Sequence, residues 1–123
     1  MRAASSLIVD DNPANLKLVR VLLMSEGYDV VSATDATEAL EQIRRAPPDL
    51  ILMDVQLPDI DGLTLTRRLK SDPATRGIHI VAISAYAMPG DEEKAIAAGC
   101  DAYVTKPIDT RALPTVVRRF LNA

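Results

Sequence analysis

The sequence predicts an α/β fold: a doubly wound, five-stranded parallel sheet in the order 2-1-3-4-5, with five helices spread over both of its faces. Three observations carry that expectation. Apolar runs of strand length recur at Ser6–Val9, Leu50–Met53, Ile78–Ile83 and Ala102–Thr105. They lack the polar alternation of a strand with one wet face, so they read as strands buried on both sides. Between them lie stretches of helical length opened by Pro, Asp or Asn and closed by Gly or Pro. Strand and helix patterns alternate along the whole chain, which requires parallel pairing through right-handed crossovers.

The elements follow in order. Ser6-Leu7-Ile8-Val9 is a short strand ending in Asp10-Asp11-Asn12, and Pro13 opens a helix that closes near Gly27. That helix is too apolar for one face: positions 15, 18, 19, 22 and 23 form a stripe that can pack on a sheet, with Leu16, Val21 and Met24 toward its edges. Val30 and Val31 give the second strand. Asp35 and Glu38 have capping-box spacing ahead of a helix from Ala36 to Arg45, and Pro47-Pro48 ends it. The third strand, Leu50 to Met53, runs into Asp54. Asp61 can cap a third helix that passes through Leu63, Leu65 and Leu69 to Lys70. Ile78 to Ile83 is the fourth strand and ends at Ser84-Ala85; His79 at its start reads as a solvated edge residue. Pro89-Gly90 with Asp91, Glu92 and Glu93 begins a fourth helix that Gly99 closes, and the acids suit the positive end of its dipole. Ala102 to Thr105 is the fifth strand, ending at Lys106-Pro107. The last helix buries Leu113, Val116, Val117, Phe120 and Leu121. Pro114 requires either a kink there or a turn over 109–113 with Pro114 as the first helical residue. The strand order is that of the flavodoxin-like type.

Size and composition bound the function. The 123 residues suffice for one domain, residues 1–123, with one real core. A composition of 48% hydrophobic and 25% charged residues is that of a globular chain. Net charge is −3, with a pI near 5.1 and no block of like charge, so direct nucleic-acid binding is not expected. No signal peptide or membrane-length apolar run is found. The lone Cys100 cannot form an internal disulfide and suits a reducing, cytoplasmic setting; a small buried apolar group is its expected role.

Four strands finish in a chemically useful residue: Asp10-Asp11 after the first, Asp54 after the third, Ser84 after the fourth and Lys106 after the fifth. A parallel sheet gathers all of these ends on one side, where the ligand crevice forms. Three carboxylates there repel one another by roughly 3 kcal/mol per pair at about 5 Å and an effective dielectric of about 20. Lys106 supplies one counter-charge. A divalent cation with oxygen ligands, Mg²⁺ or Mn²⁺, would supply the rest, held by Asp10, Asp11, Asp54 and the backbone carbonyl of Gln56. Asp54 is then placed as a nucleophile toward a phosphoryl group, with Lys106 and the Ser84 hydroxyl on the phosphoryl oxygens.

These residues resemble the receiver domain of two-component response regulators, over essentially the whole chain. The resemblance rests on Val9-Asp10-Asp11-Asn12, on Met53-Asp54-Val55-Gln56-Leu57-Pro58-Asp59-Ile60-Asp61-Gly62, on Ser84-Ala85 and on Thr105-Lys106-Pro107. Each motif is weak alone; together, in order at the ends of the right strands, they are highly specific. The resemblance implies Asp54 as phosphoacceptor, Asp10 and Asp11 as metal ligands, and Ser84 as a switch hydroxyl where Thr is commoner. It also implies Lys106 followed by a cis peptide at Pro107, and Tyr103 as the aromatic switch residue. The phosphoryl donor would be a phosphohistidine on a histidine kinase or phosphotransfer protein, docking on the apolar edge of the first helix near Leu16. A downstream protein would read the face of the fourth helix, fifth strand and fifth helix, including Tyr86, Met88 and Tyr103. Gln56 and Tyr86 flank the site and are expected to set the phosphoryl lifetime.

Blander readings exist for each part. Asp10-Asp11-Asn12 could merely cap a helix, Lys106 could be a solvated lysine, and Asp59 and Asp61 read as turn or capping residues. Tyr28 reads as packing. Two other functions fit the fold class. An aspartate-nucleophile phosphatase would carry Asp-x-Asp after the first strand, which Asp10-Asp11-Asn12 lacks. A flavodoxin-like cofactor module would need a neutral, hydroxyl- and Gly-rich loop there, to which two acids are hostile.

Overall fold

The computed structural model describes residues 4–85 and 88–121. Among the described residues ten elements alternate, strand then helix: β1 (Ser5–Val9), α1 (Pro13–Ser25), β2 (Asp29–Ala33), α2 (Ala36–Arg45), β3 (Leu50–Asp54), α3 (Gly62–Ser71), β4 (His79–Ser84), α4 (Asp91–Ala98), β5 (Ala102–Thr105) and α5 (Ala112–Leu121). All strand pairs are parallel, in the order β2-β1-β3-β4-β5. The predicted topology is the observed one.

Strand alternation explains why two apolar faces emerge from unbroken apolar runs. Leu7, Val9, Ile51, Met53, Ile80 and Ala82 point to one face and meet Ala39 and Ile43 of α2, Leu65 and Leu69 of α3, and Ala95 of α4. Ile8, Leu50, Leu52, Val81 and Ile83 point to the other, against Val19 and Leu23 of α1 and Leu113 and Val117 of α5. Every residue of β3 is buried, Asp54 included, so the central strand delivers a carboxylate to the end of a dry sheet. Cys100 is buried beside Thr66, with burial pushing its thiol pKa up, and Tyr28 packs under α1 as expected. No helix among the described residues is long and apolar enough to cross a membrane.

Helix starts follow from local chemistry. Asn12 caps α1, accepting from the Ala14 and Asn15 N–H groups, and Asp61 caps α3 through Leu63 N–H. The cap of α1 is therefore Asn12, which leaves Asp10 and Asp11 for other work.

Two expectations need correction. Leu18 of α1 is exposed whereas Leu16 packs on the core, because the helix turns its Leu16, Val19 and Leu23 side toward the sheet. Pro114 neither kinks α5 nor begins it. Asp109 accepts from Arg111 and Ala112 N–H, the helix starts at Ala112, and Pro114 falls in the first turn, where no intrahelical N–H bond is lost. His79 opens β4 with its side chain 44% exposed, a solvated residue at the rim of the sheet as expected; its imidazole also packs on Phe120 with ring centroids 5.1 Å apart and sits 3.6 Å from Asp101.

Gly62 ties this scaffold to its functional end. Its N–H donates to the Val55 carbonyl at 2.9 Å, and a Cβ added there would run into the carbonyl oxygen of Asp54. Close approach, not backbone angle, requires glycine. Gly62→Ala is therefore expected to cost about 1–3 kcal/mol, as overpacking against a buried backbone does; urea denaturation of the two proteins measures it.

Candidate functional site

The carboxyl-terminal ends of β1, β3 and β5 bring together the residues that the motifs singled out. Asp10 and Asp54 are each 3% exposed, Asp11 lies on the surface, and one carboxylate oxygen from each of the three falls within 4.8 Å of the others. The Lys106 ammonium lies 3.1 Å from Asp10 Oδ2 and 3.4 Å from Asp54 Oδ2, bridging two acids that would otherwise face each other unscreened. Gln56 N–H donates to Asp54 Oδ1 at 3.0 Å. Lys106 and Gln56 thus take one oxygen of Asp54 each and fix the plane of the carboxylate. Asp10 is held similarly, its Oδ1 accepting from Asn12 N–H at 2.8 Å and its own N–H donating to the Ala33 carbonyl at 3.0 Å.

The electrostatics follow from this packing. Burial raises the Asp54 pKa; the Gln56 N–H opposes that, the Asp10 charge adds to it, and Lys106 opposes it, with a net shift upward. Burial would lower the Lys106 pKa, but its contacts with Asp10 and then Asp54 outweigh that and hold it above the ordinary lysine value. Three carboxylates against one ammonium leave a deficit of two positive charges, and hard oxygen donors in this number suit Mg²⁺ or Mn²⁺.

Ser84 closes the other side. It is 4% exposed at the end of β4 and lines a cavity of about 90 Å³ with Val55, Gln56, Leu63 and Tyr103. The Tyr103 hydroxyl is buried with no hydrogen-bond partner among the described residues. Lys106 N–H donates to the Ser84 carbonyl at 2.7 Å, and the Lys106–Pro107 peptide is cis. Ser84 and Tyr103 share the α3/α4 side of the sheet, while Asp10 and Asp54 continue the alternation of Ile8 and Leu52 toward α1 and α5. A larger cavity, about 400 Å³ beside Asp49, His79 and Phe120, opens at the strand starts and includes none of these groups. Tyr86 lies outside the described residues.

The family model of the response regulator receiver domain matches residues 6–118. The chain belongs to this family. Among its relatives is the polar-differentiation response regulator DivK of Brucella anthropi, 43% identical over 118 residues that make up 96% of each chain. A CheY-like response regulator receiver domain protein from Methanospirillum hungatei superposes with a TM-score of 0.90 at 31% identity, covering 98% of this chain and 95% of that one. The receiver domain of a sensor histidine kinase from Pseudomonas aeruginosa does so at 0.88 and 33%, covering 99% and 100%; its structure has a magnesium ion coordinated in the active site cleft. The phosphatase and cofactor-module alternatives give way to a receiver of two-component signalling.

One receiver residue reads differently in three dimensions. Asp59, expected to serve its own turn, does so through Ile60 N–H and also reaches the start of α2, where it accepts from Ala36 N–H at 2.9 Å and Thr37 N–H at 3.1 Å. Its α2 partners lie 23 and 22 positions away in sequence, so no local pattern marks it.

The raised Asp54 pKa has a stability consequence with a definite sign. Between the ordinary carboxylate value of 3.8 and the raised folded value, the folded state holds the proton that the unfolded chain has released, so stability falls as pH rises through that window. Asp54→Asn removes the slope. In metal-free buffer its denaturation midpoint is expected above that of the wild type at pH 7, with the difference vanishing toward pH 3; denaturant titrations across pH measure it.

Proposed function

We propose that residues 1–123 form one receiver domain that works as a phosphorylation-controlled protein–protein switch, with Asp54 as phosphoacceptor. The observation that carries this reading is the buried Asp54 carboxylate held between Lys106 and Gln56 N–H, inside a group of three acids whose oxygens lie within 4.8 Å. Asp10, Asp11 and Asp54, with the Gln56 backbone carbonyl, would hold Mg²⁺ or Mn²⁺. When bound, such an ion offsets negative charge on the phosphoryl oxygens.

The chain's own groups do the rest. An oxygen lone pair of Asp54 attacks phosphorus, the bond to the donor's imidazole nitrogen breaks, and the imidazole leaves with that electron pair, giving an acyl phosphate on Asp54. Lys106 pairs with one phosphoryl oxygen as a point charge and the Ser84 hydroxyl donates to another. No substrate is turned over: phosphorylation and the later hydrolysis both occur on the protein itself. A cytoplasmic setting fits the single, buried, free thiol of Cys100.

The acyl phosphate carries about 1.5 to 2 negative charges at neutral pH where the carboxylate carried one, and it brings three phosphoryl oxygens that accept hydrogen bonds. Drawing Ser84 and Lys106 onto it reshapes the cavity that Ser84 shares with Tyr103, whose hydroxyl has no hydrogen-bond partner among the described residues. The face beside it, with exposed Met88 and Ile96, is the surface we assign to the downstream protein. The donor is a phosphohistidine on a histidine kinase or phosphotransfer protein. Its docking surface is the edge of α1, where Leu18 and Val21 are exposed next to the half-buried Leu16.

Incubation with Mg²⁺ and a small acyl phosphate is expected to add the mass of one phosphoryl group to the wild type and none to Asp54→Asn, read by intact mass spectrometry; equal labelling of both removes Asp54 from the role. Val21→Glu is expected to slow transfer from a phosphohistidine protein about tenfold, the size of one lost interface contact, while labelling by the small donor stays unchanged.

A further inference from the structure

The Asp59 carboxylate takes four hydrogen bonds, and three of them leave its own turn. Oδ1 accepts from Ala36 N–H at 2.9 Å and from Ile60 N–H at 2.8 Å; Oδ2 accepts from Thr37 N–H at 3.1 Å and from the Thr37 hydroxyl at 3.0 Å. Ala36 and Thr37 open α2, where N–H groups have no partner within the helix. The helix's own cap, Asp35, accepts through its side chain from Glu38 N–H, at 2.8 Å, and through its carbonyl from Ala39 N–H, so neither reaches the N–H groups of Ala36 and Thr37. The loop after β3 therefore completes the cap that the sequence around α2 leaves unfinished. The Ala36 N–H first, then those of Ile60 and Thr37, hold the Asp59 carboxyl well below the usual carboxylate range.

The far side of this bridge is bonded to the acid cluster as well. Asp10 N–H donates to the Ala33 carbonyl, at the end of β2 and three residues before α2 begins. On the near side, Val55 is pinned by Ile83 and Gly62, and Gln56 N–H is bound to Asp54. A closed circuit results: Asp10, the end of β2, the first turn of α2, Asp59, and back along five residues to Asp54. Of its links, Asp59 is the one that joins the loop tip to a helix.

We propose that Asp59 is a positioning residue for the cation site: by fastening the 55–61 loop to the first turn of α2, it sets where Gln56 lies relative to Asp10 and Asp54. The proposal rests on the reading of Asp10, Asp11 and Asp54 as a Mg²⁺ site. It implies that the start of α2 and the cation site are linked, so that loosening one loosens the other.

The test compares Asp59→Ala with Asp35→Ala, which removes α2's own cap at the same helix end but leaves the loop bridge in place. Mg²⁺ affinity is measured by calorimetry, and hydrogen exchange is followed at the Gln56 amide. Asp59→Ala is expected to weaken Mg²⁺ binding roughly tenfold, as loss of a residue supporting a metal site does, and to speed Gln56 exchange; Asp35→Ala should change either by no more than about twofold. Equal losses in the two variants, or Gln56 exchange unaltered in Asp59→Ala, overturn the proposal. A wild type that takes up no Mg²⁺ defeats the metal reading instead, and the Gln56 exchange comparison still decides the bridge.

Discussion

Repulsion between carboxylates at the end of a dry strand is the constraint on which this protein turns. Asp10 and Asp54 are almost wholly removed from water, and their oxygens, with one from Asp11, lie within 4.8 Å of one another. Buried like charges at that range are tolerated only where something positive stands between them. Lys106 does so directly, from a different strand, and the remaining negative charge is what makes the pocket receptive to a divalent cation. The same imbalance makes the site responsive: any change in the charge on Asp54 must be answered by the groups that touch it.

The scaffold serves that arrangement through burial. β3 is covered on both faces, with α2, α3 and α4 on one side and α1 and α5 on the other, so Asp54 cannot retreat into solvent. Strand alternation then divides the response. Asp54 and Asp10 lie toward α1, next to the surface assigned to the donor, whereas Ser84 and Tyr103 share a cavity on the α4 side, next to the surface assigned to the reader.

The loop after Asp54 is more than a connection. Gly62 lets it pass against the Asp54 carbonyl, Asp61 begins α3, and Asp59 crosses to α2. With Val55 N–H bound to the Ile83 carbonyl of β4, this stretch is tied to four elements, and its backbone has little room to move independently of the site.

Much of this was legible in the residues. Unbroken apolar runs separated by capped helices entail a parallel sheet with two covered faces, and a parallel sheet brings every strand end to one side, so Asp10, Asp11, Asp54, Ser84 and Lys106 could be grouped before any coordinate was known. Local rules also placed α2 at Ala36–Arg45 and the cap of α3 at Asp61, because backbone capping depends on neighbours three or four positions away. What lay beyond local rules was decided by packing. The rotation of α1 that exposes Leu18, the seating of His79 on Phe120, and the reach of Asp59 to Ala36 and Thr37 each depend on a surface contributed by a distant segment. A side chain's partner across 23 residues is determined by where two elements come to rest, and only the folded molecule specifies that.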